Sequence, residues 1–410
     1  MTFKAKPARK AFVWIWLPEQ REPVVVGIIE KDKDKHIFSY GKSYLERNNA
    51  IALSPFELPL ESRTFEPTGI NTIHSCLRDG SPDAWGRRVI GYEFPELAAD
   101  ELDYMLLSGS NRIGALDFQR SSSEYIPRID RKSTLEDLFS AAKYIEEGIP
   151  LPAELGNALL QGSSIGGARP KCLIEDNSFQ YIAKFSLTTD LYDIIKAEYI
   201  AMRLANLVGI KVPNVQLNSV LGKNVLLIER FDRSLHGLNR HHMLSGLSLL
   251  GLNELEARYA SYIDLAEIIR TKFANPKDEL KELYKRLIFN VLIGNTDDHA
   301  RNISAFWNGM QLQLTPAYDL CPQLRIGGEA TQAMAIEGKQ HNNSTLINVL
   351  SVSNSFLIDE ASARIMVENQ LSTISEHWQK LCDEVDLSAI ERKKLWQKSI
   401  LNPFCLYGWK

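Results

Sequence analysis

Leu283, Tyr284, Leu287, Ile288, Val291 and Leu292 recur at helical spacing and give way to Asn295-Thr296-Asp297-Asp298-His299-Ala300-Arg301-Asn302. A helix this apolar must be buried. It therefore delivers an acid- and amide-rich loop whose footing is set by the core, the support a catalytic loop needs. Seventeen residues after Asn302 comes Asp319, in Leu314-Thr315-Pro316-Ala317-Tyr318-Asp319-Leu320, just past a short strand. An Asp, an Asn five residues on and a later Asp are the residue types that kinase-type phosphoryl transfer requires. One carboxylate, Asp297, orients an attacking hydroxyl and accepts its proton. An amide oxygen from Asn302 and a second carboxylate from Asp319 hold the Mg²⁺ that bridges nucleotide phosphates. Taken alone, Asp-x4-Asn recurs by chance and Asn-Thr-Asp-Asp reads as a polar turn. The assignment therefore depends on the rest of the chain.

At 410 residues the chain exceeds one simple core and predicts two or three packed units. A hydrophobic fraction of 44% with 24% charged residues is that of a soluble globular protein. Net charge −4 argues against a free-standing electrostatic nucleic-acid binder. Cys76, Cys172, Cys321, Cys382 and Cys405 are scattered and odd in number. They predict a reducing cytoplasm and neither a disulfide framework nor a zinc site. Lys4, Lys6, Arg9 and Lys10 precede the apolar run Ala11–Leu17. That run is short, carries two tryptophans and ends in Pro18-Glu19, so it reads as a β-strand and not as a signal peptide. No stretch approaches membrane-spanning length, which predicts no membrane partner.

Phe12–Leu17, Val24–Glu30, His36–Tyr40 and Ala52–Leu58 read as strands. Ser81-Pro82-Asp83 reads as a helix start, Tyr104–Leu107 as a short helix and Arg112–Phe118 as a closing strand. The polar stretch Gln119–Lys132 is the best linker. Residues 133–160 are helical in composition. From Gly162 to Asp232 the pattern is turn, strand, strand, helix, strand, strand, the build of a kinase small lobe with one helix. From about 255 onward the chain is mostly helical, interrupted by a hairpin at Phe306–Leu314.

Gly162-Ser163-Ser164-Ile165-Gly166-Gly167-Ala168-Arg169-Pro170-Lys171 is a Gly/Ser-rich turn leading into a strand. Its backbone N–H groups can cradle phosphates. It is not a Walker A loop, because Ala168-Arg169 stands in place of Lys-Ser/Thr and a strand follows. Lys184, 13 residues past Lys171 at the end of the strand Tyr181–Phe185, is placed to reach the α/β-phosphates; a snorkelling edge lysine is the bland alternative. Glu198 on the next helix is its candidate partner, although a lone acid on an amphipathic helix more often faces solvent. Backbone groups at Glu229 and Phe231 are placed to bond adenine, and Asp232 the ribose. His299 reads as a packing or loop-bonding residue. His241 and His242 fall in a basic cluster with Arg230, Arg233, His236 and Arg240, for which a solvated loop is the default expectation.

Together these residues resemble the HipA family of bacterial toxin Ser/Thr kinases. The resemblance runs from the N-terminal strands to at least Pro322. It rests on Ser164-Ile-Gly-Gly-Ala-x-x-Lys171, Ile182-Ala-Lys184-Phe185, Glu229-Arg-Phe-Asp-Arg233, Gly294-Asn-Thr-Asp-x-His-Ala-x-Asn302 and Leu314-Thr-Pro-x-Tyr-Asp319. Leu77–Arg88 and Arg112–Leu116 also resemble the family's N-terminal subdomain. The resemblance implies an α+β, protein-kinase-like two-lobe fold with an extra N-terminal β-rich subdomain and an all-helical C-terminal lobe. It implies Asp297 as the base, Asn302 and Asp319 as Mg²⁺ ligands, and Lys184 as the ATP-phosphate lysine. It also implies autophosphorylation at Ser164, which ejects the loop and switches the kinase off; Ser163 is an adjacent alternative. The partners implied are a HipB-like helix-turn-helix antitoxin that ties the kinase to operator DNA, and a protein substrate such as an aminoacyl-tRNA synthetase. Asp298 departs from the family, where a small residue is common, and is expected to add negative charge beside the base.

The expected domains are 1–125, an N-terminal β-rich subdomain; 126–245, a small lobe with the Gly/Ser-rich loop; and 246–410, a helical large lobe. Two other functions share some of these features: a small-molecule kinase, and an inactive corepressor that acts through an antitoxin. The Ser164 loop argues against the first and the complete Lys184, Asp297, Asn302, Asp319 set against the second.

Overall fold

A computed structural model describes residues 7–128, 134–149, 152, 156, 164, 169–175, 178–187, 189–234, 237, 239–325, 327–338 and 341–409. The chain divides into two compact units. The first comprises Met1–Thr188, Asn218–Leu244 and Trp307–Met310; the second comprises Thr189–Leu217, Ser245–Phe306 and Gln311–Lys410.

The first unit holds two sheets. Strands β1 (Lys10–Ile15), β2 (Val24–Asp32), β3 (Lys35–Tyr40), β4 (Thr64–Phe65) and β5 (Leu116–Gln119) form an antiparallel sheet in the order β4-β3-β2-β1-β5. These are the runs rich in β-branched and aromatic residues, which fit a pleated, half-buried surface. The stretch Ala52–Leu58 forms no strand beyond one bridge, Ser54 to Leu58. A side chain takes the place of a ladder there: the Tyr40 hydroxyl accepts from the Leu53 N–H at 2.9 Å and donates to the Leu58 carbonyl at 2.5 Å.

Strands β6 (Lys171–Glu175), β7 (Gln180–Phe185), β8 (Val215–Val220) and β9 (Lys223–Glu229) form the second sheet in the order β6-β7-β9-β8. Alternation sorts its residues onto two faces. Cys172, Tyr181, Ala183, Phe185, Val225 and Leu227 form a core with Trp85 and Val89 of helix Ala84–Glu93 and with Ala141 and Ile145 of helix Leu135–Glu147. The sheet thus takes a helix from the N-terminal third of the chain as cover, where the sequence suggested a small lobe built from its own single helix. Helix Leu135–Glu147 starts at a capping box of Thr134 and Asp137 and ends at Gly148 in the left-handed region.

The second unit is mostly helical. Its centre is helix Pro276–Ile293, with Pro276 in the first turn and Asp278 and Glu279 next to it, a favourable start on both backbone and dipole grounds. From Leu287 to Ile293 every residue is buried, so the last two turns are enclosed on every side, as a central helix requires. It packs against helices Tyr262–Lys272 and Glu360–Glu384, and the latter also packs on helix Ile194–Leu207. Gly294 ends it at φ +69, where a Cβ would lie 2.4 Å from the Ser399 carbonyl oxygen; only glycine fits that turn. No described helix is long and apolar enough to cross a membrane.

Candidate active site

The loop that follows Gly294 carries the first functional group. Asp297 is exposed, with an imidazole nitrogen of His299 4.0 Å from its carboxylate. Its backbone is held by Asn302, whose Nδ2 donates to the Asp297 carbonyl at 3.0 Å. That bond commits the amide nitrogen and leaves Oδ1 as the atom of Asn302 suited to a cation. The strands Ser304–Trp307 and Leu312–Leu314 then return the chain, and the Thr315 N–H bonds the Ser304 carbonyl at 3.0 Å. Arg286, ion-paired with Glu282, donates to the Thr315 carbonyl at 2.7 Å.

Asp319 follows at φ +54, in the left-handed region that Asp enters more readily than most residues. Two contacts tie its segment to the Asp297 loop. The Tyr318 hydroxyl donates to the Arg301 carbonyl at 2.7 Å, and the Asn295 Nδ2 lies 3.4 Å from the Asp319 carbonyl. The structure therefore brings Asp297, Asn302 and Asp319 into one hydrogen-bonded assembly of the second unit.

Asp298 does not act as an extra surface charge beside Asp297. It is buried, accepts from the Tyr262 hydroxyl at 2.6 Å and from the Ala333 N–H at 2.9 Å. Burial pushes its carboxyl pKa up to about 6, against the pull of those hydrogen bonds. Glu198 is buried too, at 5% exposure, and does not face solvent as a lone helix acid would. His299 has one ring nitrogen toward Asp297, while Nδ1 is buried with no hydrogen-bond partner.

The remaining sequence-predicted residues belong to the first unit. Ile165, Gly166, Gly167 and Ala168, with Gly162 and Ser163, lie outside the described residues, as does His236. Ser164 is buried. Lys171 and Lys184 are direct partners across β6 and β7, and both are buried, at 5% and 8% exposure. Cross-strand partners point to the same face with Cβ atoms about 5 Å apart. The face opposite the helix-covered core therefore carries both lysines, beside Ile182, Leu226 and Ile228. Glu229, the last residue of β9, pairs with Tyr181, and Phe231 is half-buried.

Asp232, Arg230 and Arg233 form a buried network, not a solvated loop, while His241 of the same basic cluster is exposed. Asp232 accepts from the Gly114 N–H at 2.7 Å, from Arg230 at 2.7 Å and from Arg233 at 2.9 Å. Burial alone would raise its pKa, but the two guanidiniums outweigh it and hold the carboxylate well below the usual range. Arg230 also donates to the Arg112 carbonyl at 2.6 Å, and Arg233 to the Gly114 carbonyl at 2.9 Å. Arg112 is itself fully buried on Asp117. His242 is buried against the Leu53 carbonyl. The cluster fastens the loop before β5 to the end of β9, which is why so many arginines sit in the interior.

Sequence reasoning gave no role to Tyr262, Asn290, Asn295 or Gln332, all buried beside the Asp297 loop. Asn290 carried a signal: it is an amide inside the apolar run of the central helix. Tyr262 carried none.

The fold and this loop define a kinase-like α+β protein. Residues 15–119 match the family described as HipA N-terminal domain, and residues 163–378, more than half of the chain, match the HipA-like C-terminal domain. The chain belongs to the HipA family. Among curated relatives, a putative kinase Y4mE of Sinorhizobium fredii is 25% identical over 72% of this chain and 74% of its own length. The serine/threonine-protein kinase toxin HipA of Shewanella oneidensis is 28% identical over 44% of this chain and 48% of its own length. The fold matches a chain in the solved complex of Shewanella oneidensis MR-1 HipA, HipB and operator DNA, with TM-score 0.68 at 20% identity. That match covers 94% of this chain and 95% of the other.

Proposed function

We propose that the chain is a Mg·ATP-dependent Ser/Thr protein kinase and the toxin member of a toxin–antitoxin pair. The observation that carries this reading is the Asp297–Asn302 loop: an exposed carboxylate whose backbone is tethered by Asn302, with Asp319 joined to the same assembly. The donor set fits Mg²⁺, which takes oxygen ligands, needs few from protein and keeps waters and phosphate oxygens for the rest. When bound, Mg·ATP supplies the phosphoryl group, and the cation offsets its charge.

The protein's own residues do the following. Asp297 orients the acceptor hydroxyl and takes its proton. Asn302 Oδ1 and the Asp319 carboxylate hold the cation. Lys184 and Lys171 attract the nucleotide phosphates. The backbone of the Ser164, Ile165, Gly166, Gly167, Ala168 turn cradles them, and backbone groups of Glu229 and Phe231 bond the adenine. The Asp232 carboxylate is already engaged by three donors, so its part in this scheme is to hold the β9 end in place rather than to bond ribose.

Similarity to a Ser/Thr kinase toxin supports a hydroxyl acceptor on protein, and we assign a translation protein such as an aminoacyl-tRNA synthetase. Similarity to the HipA of a HipA–HipB–operator complex supports a small helix-turn-helix antitoxin, through which the chain would be tied to DNA. Ser164 is the self-acceptor. A phosphate there carries about −1.5 to −2 charge and repels bound nucleotide phosphates, which switches the kinase off. Incubation of purified chain with γ-³²P-ATP and Mg²⁺, followed by peptide mass spectrometry, tests the reading. Label on Ser164 supports it. Absence of transfer to itself and to every translation protein offered overturns the kinase assignment. Label confined to residues outside 162–171 overturns the switch.

A further inference from the structure

We infer that Tyr262 is a positioning residue of the catalytic loop, the middle of a hydrogen-bonded chain that braces the base-bearing segment at two points, from Asn295, which also bonds the Asp319 carbonyl, to Asp298. The inference rests on the kinase reading for its functional meaning, and on geometry for its existence. The chain of bonds is continuous. The Asn295 Nδ2 faces the Asp319 carbonyl at 3.4 Å and donates to Asn290 Oδ1 at 3.0 Å. The Asn290 Nδ2 donates to the Tyr262 hydroxyl at 3.0 Å, and that hydroxyl donates to Asp298 at 2.6 Å. The donor–acceptor sense runs one way from Asn290 to Asp298, so each bond polarises the next. Tyr262 and Asn290 stand on two packed helices, Tyr262–Lys272 and Pro276–Ile293. The loop is thereby referred to the rigid core on both of its sides.

A second set of contacts closes the loop from above. The Gln332 Nε2 donates to the Asn295 carbonyl at 3.0 Å, and the Ala333 N–H is 3.1 Å from the Thr296 carbonyl as well as bonding Asp298. Each of residues 295–298 is thus held by at least one of these bonds, through backbone or side chain, while the Asp297 carboxylate stays exposed. Asp298 stands next to the base, and the Tyr262 hydroxyl and the Ala333 N–H satisfy that acid in the interior. A catalytic carboxylate must be held to within a fraction of an ångström, and a misplacement of about 1 Å costs on the order of a hundredfold in rate.

The test uses the full chain, with MgATP alone as the first substrate and dephosphorylated casein as a generic acceptor. Tyr262→Phe removes one oxygen and keeps the ring. Asn290→Leu, nearly isosteric, breaks the same chain one bond away. Each is expected to lower kcat for ADP release by about tenfold or more, with KM for ATP within about twofold of wild type. The double variant is expected to lose no more than the worse single, because both cut one chain. A purely structural role would lower the melting temperature and the number of active sites, not kcat per active site. Wild-type kcat in either folded variant, or a loss confined to KM, overturns the inference. Amide hydrogen exchange over residues 295–302 and 317–321 decides the case if wild-type chain shows no ADP release, an outcome that would sink the kinase reading instead. Faster exchange there in Tyr262→Phe supports the relay, and unchanged exchange overturns it.

Discussion

The side-chain amide of Asn302 donates to the backbone carbonyl of Asp297 at 3.0 Å. The side chain proposed as cation ligand thus bonds the backbone of the residue proposed as base. A short 3-10 turn, Ala300–Asn302, supplies the geometry by bringing the chain back on itself.

Asp297→Asn is expected to abolish phosphoryl transfer and leave ATP affinity within about twofold of wild type. The amide keeps the shape and the backbone bond to Asn302 but cannot accept a proton. Nucleotide titration and ³²P transfer on one preparation check this. Transfer near the wild-type rate would remove Asp297 from the mechanism.

Asn302→Asp separates the two tasks of the asparagine. The carboxylate still offers an oxygen to Mg²⁺, but it has no N–H for the Asp297 carbonyl and places a second acceptor against it. Mg²⁺-dependent ATP binding is expected to survive while transfer falls by about a hundredfold, the cost of a displaced base. Equal loss of binding and rate would show that Asn302 acts on the cation alone.

Lys184→Met is expected to raise KM for ATP by about tenfold to a hundredfold, the value of one hydrogen bond to a charged group. Lys171→Met should do the same to a smaller degree, because its cross-strand partner Lys184 remains. Isothermal titration with an ATP analogue reads the effect. Unchanged affinity in both variants would leave the paired lysines without a nucleotide role.

Much of this was legible because it depends on local pattern. The strands β1, β2 and β3 follow from β-branched and aromatic runs, and the central helix from the spacing of Leu283 to Leu292. Asp297, Asn302 and Asp319 were singled out by residue type and order along the chain, and hydrogen bonds join their segments; the roles given to them are the proposal. What failed was long-range packing. Nothing in Ala84–Glu93 says that Trp85 and Val89 will cover the face of Cys172, Ala183 and Phe185. Basic residues read as solvent-facing by default, yet Arg230 and Arg233 are interior because Asp232 and the carbonyls of Arg112 and Gly114 await them. Asp298 was misjudged for the same reason: its partner Tyr262 lies 36 residues earlier.

Asp232→Ala is expected to destabilise the chain by about 3–5 kcal/mol, the cost of stranding buried charges after one partner is removed. Arg230 and Arg233 would lose their shared counter-charge, and the Gly114 N–H its acceptor. Chemical denaturation measures it. A shift under about 1 kcal/mol would mean that water or the neighbouring carbonyls replace the carboxylate.

Asp298 predicts a pH dependence of opposite sign to that of Asp232. Its folded-state pKa is raised by burial from 3.8 to about 6. Between those values the native chain binds more protons than the unfolded chain, so stability falls as pH rises. The contribution is fully present below about pH 3.8 and lost above about pH 6. The difference between the two pKa values corresponds to about 3 kcal/mol. Carboxylates such as Asp117 and Asp232, whose pKa values are depressed, slope the other way, so the whole-protein curve will not isolate the effect. Asp298→Asn will, because asparagine does not titrate. It loses part of the Tyr262 bond at every pH, a constant offset. The stability difference, wild type minus Asp298→Asn, should therefore decline by about 2 kcal/mol or slightly more from about pH 4 to about pH 7. Urea unfolding of both proteins across that range measures it. A difference that stays flat would mean that Asp298 is charged in the folded chain throughout, and that its hydrogen bonds outweigh its burial.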